Sequence, residues 1–151
     1  MSNKERINDP HASSYFKLLE ISQTIESRIK LKLQDYDLTH GQYNILKILK
    51  GAKDEPLTAK TIKSRMIVNF PDVTRLVDRL VKKELVLREK NPLNRREVNI
   101  SLLNKGKDLL EELDPIMKSA AFHFFIDQIS VQEANALSDI LSKIMPSIKN
   151  D

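Results

Sequence analysis

The sequence predicts a mainly α-helical protein with one small β-hairpin. Only three glycines and 5% aromatic residues occur in 151 residues, and charged residues are spread along the chain, a composition that favours helix. Apolar side chains recur at helical spacing over most of the chain, whereas strand-like alternation is limited to two short segments between residues 85 and 101. The length and apolar content suit a single domain with its own core, which we expect to span residues 1–151.

Two helices are predicted in the N-terminal third. The first carries one apolar stripe, made of Leu18, Ile21, Ile25, Ile29, Leu33 and Tyr36. Thr39 and Gln42 have the spacing of a capping box, in which each side chain bonds the backbone of the other residue. The second helix should therefore begin there and turn Ile45, Leu46 and Leu49 inward, with Gly51 as a suitable stop.

Residues 58–101 predict two helices followed by a hairpin. A short helix runs from about Thr58 to Met66, and the next should begin near Pro71, because proline fits the first helical turn. The buried face of that second helix is predicted to consist of Val73, Leu76, Val77 and Leu80. Residues 85–90 and 97–101 read as strands around an exposed loop that holds Arg95 and Arg96. A helix-turn-helix followed directly by such a hairpin is a winged helix.

The C-terminal third predicts a long helix and a last helix. One side of the long helix carries Leu109, Leu113, Ile116, Ala120 and Phe124. Pro115 should kink or break it, because proline lacks a backbone donor and clashes with the preceding turn. Ser130 and Glu133 form a second capping box that starts the last helix, whose apolar face includes Ala134, Leu137, Leu141 and Ile144.

The positive charge is concentrated in the winged helix. Residues 60–100 contain eleven Lys/Arg and five Asp/Glu, whereas the rest of the chain has fourteen basic and sixteen acidic side chains. A solvated charged face is the ordinary explanation of such a run, and a polyanion-binding surface is the more specific one. Charge alone does not decide between these two interpretations.

Several classes of function are disfavoured by what the sequence lacks. Without cysteine there can be no disulfide, thiol catalysis or thiolate metal site. We find no nucleophile–base pair, carboxylate constellation, cofactor loop or metal-ligand set with suitable spacing, so we expect neither an enzyme nor a bound cofactor or metal. No signal peptide or membrane-spanning apolar run is visible, so the expected location is the cytoplasm, with no membrane partner.

The helix that begins near Pro71 is a candidate for contact with double-stranded DNA. In a helix-turn-helix, the N-terminal part of the second helix lies in the major groove. That part offers Pro71, Asp72, Thr74 and Arg75, where arginine can pair with guanine and threonine can contact a thymine methyl or a phosphate. Further along, the outer face adds Arg79, Lys82 and Lys83. Taken alone, this helix also fits an ordinary amphipathic helix in which Asp78 and Lys82 pair one turn apart.

The hairpin shifts the interpretation toward DNA. Arg95 and Arg96 at a loop tip form a poor core element but a good probe of the minor groove, where negative potential attracts arginine. One element could then occupy the major groove while its neighbour reaches the flanking minor groove.

At this point the sequence resembles the MarR family of bacterial transcription regulators. The most specific portion is VTRLVDRLVKKELVLREKNPLNRR, which is similar in order and spacing to the recognition helix, strand and wing of that family; LTHGQY at residues 38–43 and Asn104-Lys105-Gly106 also match. The resemblance implies a homodimer built from the terminal helices, here residues 10–36 and 103–149, with a DNA-binding lobe at 38–102. It also implies a repressor that binds a pseudo-palindromic operator and is released by a small ligand.

The sequence departs from the family pattern at four positions. Glu84 stands where the family has glycine after the recognition helix, and Asn94 replaces the wing aspartate, so an Asp–Arg ion pair that stiffens the wing is absent or changed. Lys63 occupies a position often filled by alanine, and Leu103 replaces a frequent capping threonine. If the family geometry is kept, Glu84 should adopt the left-handed conformation that glycine favours.

An effector site is implied only by the resemblance. Small aromatic or anionic ligands of the family bind between the dimer helices and the DNA-binding lobe, and the segments that could line such a crevice hold His11, Tyr15, Phe16, His40 and Tyr43. Aromatic residues at helical spacing are more often core residues, and a lone histidine is more often a satisfied polar group. The main alternative to a DNA-binding repressor is a winged-helix protein-interaction adaptor without specific DNA binding.

Overall fold

Helices form most of the computed structural model, which describes residues 9–68, 70–94 and 96–149. Along this part of the chain the helices are α1 (Pro10–Gln34), α2 (His40–Gly51), α3 (Ala59–Arg65), α4 (Val73–Lys82), α5 (Asn104–Ala121), α6 (His123–Gln128) and α7 (Val131–Lys149). The strands are β1 (Leu57–Thr58), β2 (Val86–Lys90) and β3 (Val98–Leu102). The mainly α-helical fold class is confirmed.

The strands form a three-stranded antiparallel sheet in the order β1-β3-β2. The hairpin pairs Val86 with Leu102 and Lys90 with Val98, within one residue of the predicted strands. The third strand, β1, pairs Leu57 with Ile100, and the sequence pattern misses it because two residues are too short to show alternation. This strand fastens the start of α3 to the hairpin.

A single hydrophobic cluster joins the winged helix to α1 and α5. Its fully buried members include Leu33, Ile45, Ile62, Leu80, Ile100, Leu110 and Leu113. The predicted stripe of α1 is buried only toward its C-terminal end, at Ile29 and Leu33, while Leu18 and Ile21 remain exposed. The N-terminal half of that stripe is therefore only partly covered by the described part of the chain.

The helix starts confirm both predicted capping boxes. At α2, the Gln42 amide accepts the Thr39 N–H at 2.9 Å, and the Thr39 hydroxyl accepts the Gln42 N–H at 3.3 Å. Gln42 is buried, so this exchange also satisfies its side chain. At α7, the Glu133 carboxylate accepts the Ser130 N–H at 2.8 Å, while the Ser130 hydroxyl accepts the Glu133 N–H at 3.3 Å.

The start of α4 differs from the prediction. The helix begins at Val73, so Pro71 lies before it rather than in its first turn. Asp72 is the N-cap, and its backbone is left-handed with a φ of 64°. Because an aspartate cap satisfies an orphan N–H at the helix start, it replaces the role expected of the proline.

The long helix also differs from the prediction. α5 continues through Pro115 and ends at Ala121, so the proline does not break it. Pro115 is exposed, and the carbonyl that loses its intrahelical partner can therefore bond water. Its buried face contains Leu110, Leu113 and Met117, rotated by about one residue from the predicted stripe, and Phe124 belongs to α6 after a break.

Among the described helices, none is both long and apolar enough to cross a membrane.

Candidate nucleic-acid interface

The helix-turn-helix is α3 and α4, held against the core by one apolar face each. Ile62 of α3 and Val73, Val77 and Leu80 of α4 are buried. Because α4 buries this face, its other side is left to solvent. The exposed residues there are Thr74, Arg75, Arg79 and Lys82, while Asp78 is half-buried.

The N-terminus of α4 is organised by the carboxylate of Asp72. One oxygen accepts the Arg75 N–H at 3.1 Å, and the other lies 3.3 Å from Arg75 Nε. The Arg75 side chain is 80% exposed, so this ion pair is weak and easily exchanged. Pro71 and Asp72 are thus placed at the entry of the helix, and Arg75 projects from its first turn.

The remaining cations of α4 differ in whether they already have a partner. Within the residues that the structure describes, Arg79 and Lys82 form no ion pair. Lys83 instead donates to both the backbone carbonyl and the carboxylate of Asp37, in the turn between α1 and α2. That hydrogen bond lowers the pKa of the Asp37 carboxyl below its ordinary value. Lys83 is therefore less available to a phosphate than Lys82.

Side-chain amides shape the wing loop, residues 91–96. Asn91 Oδ1 accepts the N–H groups of Leu93 at 2.9 Å and Asn94 at 3.2 Å, and Asn94 Oδ1 accepts the Arg96 N–H at 3.2 Å. An asparagine therefore organises the loop where the family pattern has an aspartate. Arg96 is exposed, and Arg95 lies outside the described residues.

An ion pair links the wing to the outer face of α4. Arg88 of β2 approaches Asp78 with Nη1 and Oδ1 2.6 Å apart. The sequence predicts Asp78 to pair with Lys82 if α4 is an ordinary amphipathic helix, but the partner of Asp78 in the structure is Arg88. Lys82 is left without a carboxylate among the described residues, which raises the positive potential along α4.

Three cations on α3 lie beside the predicted site but were not among the residues predicted to bind DNA. Lys60, Lys63 and Arg65 are exposed and have no ion pair within residues 9–68, 70–94 and 96–149. In a helix-turn-helix the first helix crosses the DNA backbone, so these side chains extend the same basic surface. The charge excess between residues 60 and 100 already includes them, and this was the signal that could have identified them.

The C-terminus of α4 ends in a Schellman motif centred on Glu84. The Leu85 N–H bonds the Leu80 carbonyl at 3.1 Å and the Glu84 N–H bonds the Val81 carbonyl at 2.9 Å, as this motif requires. Glu84 has a φ of 58°, which confirms the left-handed conformation expected at this position. From α5, Lys105 Nζ donates to the Lys83 carbonyl at 2.9 Å and lies 3.5 Å from the Glu84 carboxylate.

Gly106 allows α5 to approach this motif closely. A Cβ at Gly106 would lie 2.4 Å from the Leu85 carbonyl oxygen and 2.8 Å from Leu102 Cδ1. The same carbonyl accepts the Leu103 N–H at 3.0 Å. The end of α4 is therefore held against the start of α5 by backbone contacts that a side chain would obstruct.

A crevice of about 760 Å³ separates α1 from α4. His40 lies in it, with Nδ1 2.7 Å from a carboxylate oxygen of Glu26 and its ring edge-to-face with Phe70 at 5.4 Å. The lining combines apolar, basic and acidic side chains and includes Lys30, Asp37, Leu38, Phe70, Leu76, Arg79 and Lys82.

The other residues predicted for an effector lie away from this crevice. Tyr15 and Phe16 are exposed on α1, where their rings pack edge-to-face at 5.3 Å. His11 is exposed at the start of α1. Tyr43 is half-buried at the edge of the core, where burial and the nearby Asp114 carboxylate raise its pKa to about 12. The effector role of these residues stays a prediction.

Comparisons with known proteins agree with this geometry. Residues 38–98 match the model of the MarR family. The HTH-type transcriptional regulator SarZ of Staphylococcus epidermidis is 32% identical over 108 residues, which are 72% of this chain and 70% of that protein. The uncharacterized HTH-type transcriptional regulator YdcH of Bacillus subtilis is 29% identical over 148 residues, or 97% of each chain.

A solved structure extends the similarity to nearly the whole fold. The S. aureus MepR–DNA complex aligns with a TM-score of 0.79 at 25% identity, over 88% of this chain and 96% of that chain. The family consists of transcription regulators rather than enzymes. Among the described residues, no group of three or more His, Asp or Glu side chains could hold a metal ion. This chain belongs to the MarR family of HTH-type transcriptional regulators.

Proposed function

We propose that this chain is a ligand-responsive repressor that binds a pseudo-palindromic DNA operator as a homodimer. The observation that carries the proposal is the row of cations on the exposed side of α4, beside a wing that presents Arg96. Arg79 and Lys82 have no ion pair within the described residues, so their charge is available to a polyanion. The solved complex of MepR with DNA supports DNA binding by a protein of this fold.

Each predicted DNA-binding residue has a distinct role in this proposal. Thr74 and Arg75, in the first turn of α4, contact base edges in the major groove. Pro71 and Asp72 set the entry and cap of that helix. The phosphate contacts come from Arg79 and Lys82, with a smaller part for Lys83, while Arg95 and Arg96 approach the minor groove.

Exposed apolar side chains on the terminal helices support the homodimer. Leu18 and Ile21 of α1 and Leu137, Ile140 and Met145 of α7 are exposed in the single chain. Apolar surface of this extent marks an interface. We therefore assign residues 10–36 and 103–149 to dimerisation and residues 38–102 to DNA binding. Because a two-fold dimer presents two recognition helices, its operator is expected to be a pseudo-palindrome, and its place of action is the cytoplasm.

The crevice between α1 and α4 is the proposed effector site. Its lining contains more basic than acidic side chains, together with apolar ones, and suits a small aromatic or anionic molecule, for which His40 and Phe70 supply the ring contacts. Arg79 and Lys82 belong both to this lining and to the proposed DNA surface. A negatively charged ligand would therefore compete with DNA phosphates for the same cations and release the repressor.

The proposal is tested by measuring DNA binding against salt concentration. The purified protein selects fragments from a random duplex library, and fluorescence anisotropy then compares a selected duplex with a random one. A specific regulator should bind the selected duplex at least about 1,000-fold more tightly and lose affinity steeply as salt rises. A winged-helix adaptor would select no sequence and show little salt dependence.

Two further measurements separate the parts of the proposal. Sedimentation should give a dimer, and a monomer that binds one half-site would contradict the assignment of α1 and α7. Lys82→Ala should weaken binding to every duplex. Lys118→Ala, which removes an exposed cation of α5 outside the DNA-binding lobe, is the matched charge control and should leave binding unchanged.

A further inference from the structure

The apex of the wing carries an apolar side chain that folding does not explain. Leu93 is 97% exposed, so it contributes nothing to the buried core. A single exposed leucine on a protein surface is ordinary. Leu93 differs because it stands three residues from Arg96 on the loop that is proposed to enter the minor groove.

Hydrogen bonds hold the backbone at Leu93 in place before any partner binds. Asn91 Oδ1 accepts the Leu93 N–H at 2.9 Å and the Asn94 N–H at 3.2 Å. At the base of the loop, the Asn91 N–H bonds the Glu97 carbonyl at 3.0 Å, and the Glu97 N–H bonds the Asn94 carbonyl at 2.9 Å. Because these bonds already order the backbone, docking the leucine costs little conformational entropy.

We propose that Leu93 enters the minor groove beside the arginines and selects A·T pairs at the operator flank. The inference rests on the proposed DNA binding and adds a residue that reads sequence. In the minor groove, A·T pairs present only acceptors, whereas G·C pairs add the N2 amino group of guanine. An apolar side chain cannot accept a hydrogen bond from that amino group, so a leucine packed on the groove floor leaves it unsatisfied and disfavours G·C.

Leu93 and Arg96 would contribute to binding in physically different ways. Arginine responds to the negative potential of a narrow groove, and its contribution falls as salt rises. Leucine contributes through desolvation and close packing, as do the apolar wedges of other minor-groove proteins, and this contribution depends little on salt. The two side chains can therefore be separated by salt dependence as well as by base preference.

The test compares three versions of one selected duplex. The flank under the wing carries A·T, G·C or inosine·C pairs, and inosine is guanine without the N2 amino group. Wild-type protein should bind the A·T and inosine·C versions alike and the G·C version about tenfold more weakly, as expected for one unsatisfied donor. Leu93→Ala should bind the A·T version about tenfold more weakly than wild type, since it loses partly buried methylene contacts, and should no longer distinguish G·C from inosine·C.

Two variants control for volume and charge. Leu93→Met keeps the apolar volume and should retain most of the affinity and the preference. Arg96→Ala should flatten the salt dependence while still distinguishing G·C from inosine·C, whereas Leu93→Ala should keep the wild-type salt slope. Thermal unfolding of each variant checks the fold, which should be unchanged because both side chains are exposed.

Two outcomes would overturn the inference in distinguishable ways. If the wild-type protein selects an operator and Leu93→Ala still discriminates G·C from inosine·C as wild type does, Leu93 does not read the groove. If the wild-type protein selects no sequence and binds random DNA with no salt dependence, the proposed DNA-binding function itself fails and the role of Leu93 fails with it.

Discussion

Replacing Glu84 by glycine should stabilise this protein. Glu84 ends α4 with a φ of 58°, in the left-handed region where a side chain costs roughly 1–2 kcal/mol and glycine costs nothing. A carboxylate at a helix C-terminus adds a further unfavourable interaction of about 0.3–1 kcal/mol with the helix dipole. Both costs disappear in Glu84→Gly.

Two effects oppose this gain. Glycine increases the freedom of the unfolded chain, which costs about 0.4–1 kcal/mol. The Glu84–Lys105 ion pair would also be lost, but it is 3.5 Å long and 80% exposed on the glutamate side, so it contributes at most about 0.5 kcal/mol. We therefore expect a net gain near 1 kcal/mol, equivalent to a rise of about 2–4 °C in Tm.

Urea denaturation of wild type, Glu84→Gly and Glu84→Ala would test the reasoning. Alanine removes the charge but keeps the Cβ in its strained position, so Glu84→Ala should recover only the small electrostatic part. Equal gains for alanine and glycine would show that charge, rather than backbone conformation, is the cost at this position. A loss of stability in Glu84→Gly would refute the argument, because it would mean that the Lys105 contact and the freedom of the unfolded chain together outweigh the strain.

Three further predictions follow from the same geometry. Gly106→Ala should destabilise the fold by about 1–3 kcal/mol in urea denaturation, because its Cβ would overlap the Leu85 carbonyl; a change within about 0.5 kcal/mol would contradict this close approach. Burial raises the pKa of the Asp114 carboxyl, but hydrogen bonds from Lys47 and Lys50 outweigh this effect, so the pKa lies below the ordinary 3.8. The stability that the ionised carboxylate adds is present above pH 3.8 and is lost as the pH falls through the lowered pKa. Asp114→Asn should therefore be less stable than wild type at pH 7 and should lose less stability between pH 5 and pH 2. Parallel profiles of stability against pH for the two proteins would exclude this role. Arg75→Ala should weaken binding to a selected duplex by roughly 1–3 kcal/mol and binding to random DNA far less. Lys82→Ala should weaken binding to both duplexes and reduce the salt slope by about 0.9. Equal losses of binding to both duplexes in Arg75→Ala would show that Arg75 does not read bases.

Local rules predicted the helix boundaries well where the signal was a short-range hydrogen bond. Both capping boxes involve residues three positions apart, so the sequence alone contains both partners. The left-handed Glu84 was expected because the resemblance to the family places glycine at this position, just after the helix. By contrast, β1 depends on pairing Leu57 with Ile100, and no local pattern indicates a partner forty-three residues away.

Packing overrode local propensity in α5. Pro115 predicts a kink or a break, and the helix does not break but continues to Ala121, with Leu113 and Met117 buried on either side of the proline. Burial of this face favours a continuous helix, although the proline removes one intrahelical hydrogen bond. The predicted apolar stripe was rotated by about one residue because Leu109 and Leu110 are equally apolar and only the core distinguishes them.

The residues of the candidate site could be predicted from the sequence, but their ion-pair partners could not. The sequence identified the cations of α4 as a group, since helical spacing places them on one face. It could not show that Lys83 is bonded to Asp37, which is forty-six residues away, while Lys82 has no ion pair within the described residues. These distant contacts rank Lys82 above Lys83 as a phosphate ligand.

The same contacts, together with one from Lys105, connect α4 to α1 and α5. Lys83 bonds Asp37 in the turn that follows α1, and Lys105 at the start of α5 bonds the Lys83 carbonyl. Because the Schellman motif fixes the backbone between α4 and β2, the end of α4 cannot turn freely against these anchors. The crevice lies between α1 and α4 and includes both Asp37 and Lys83 in its lining, so a molecule bound at the proposed effector site would lie against the ion pair that connects these two parts of the chain.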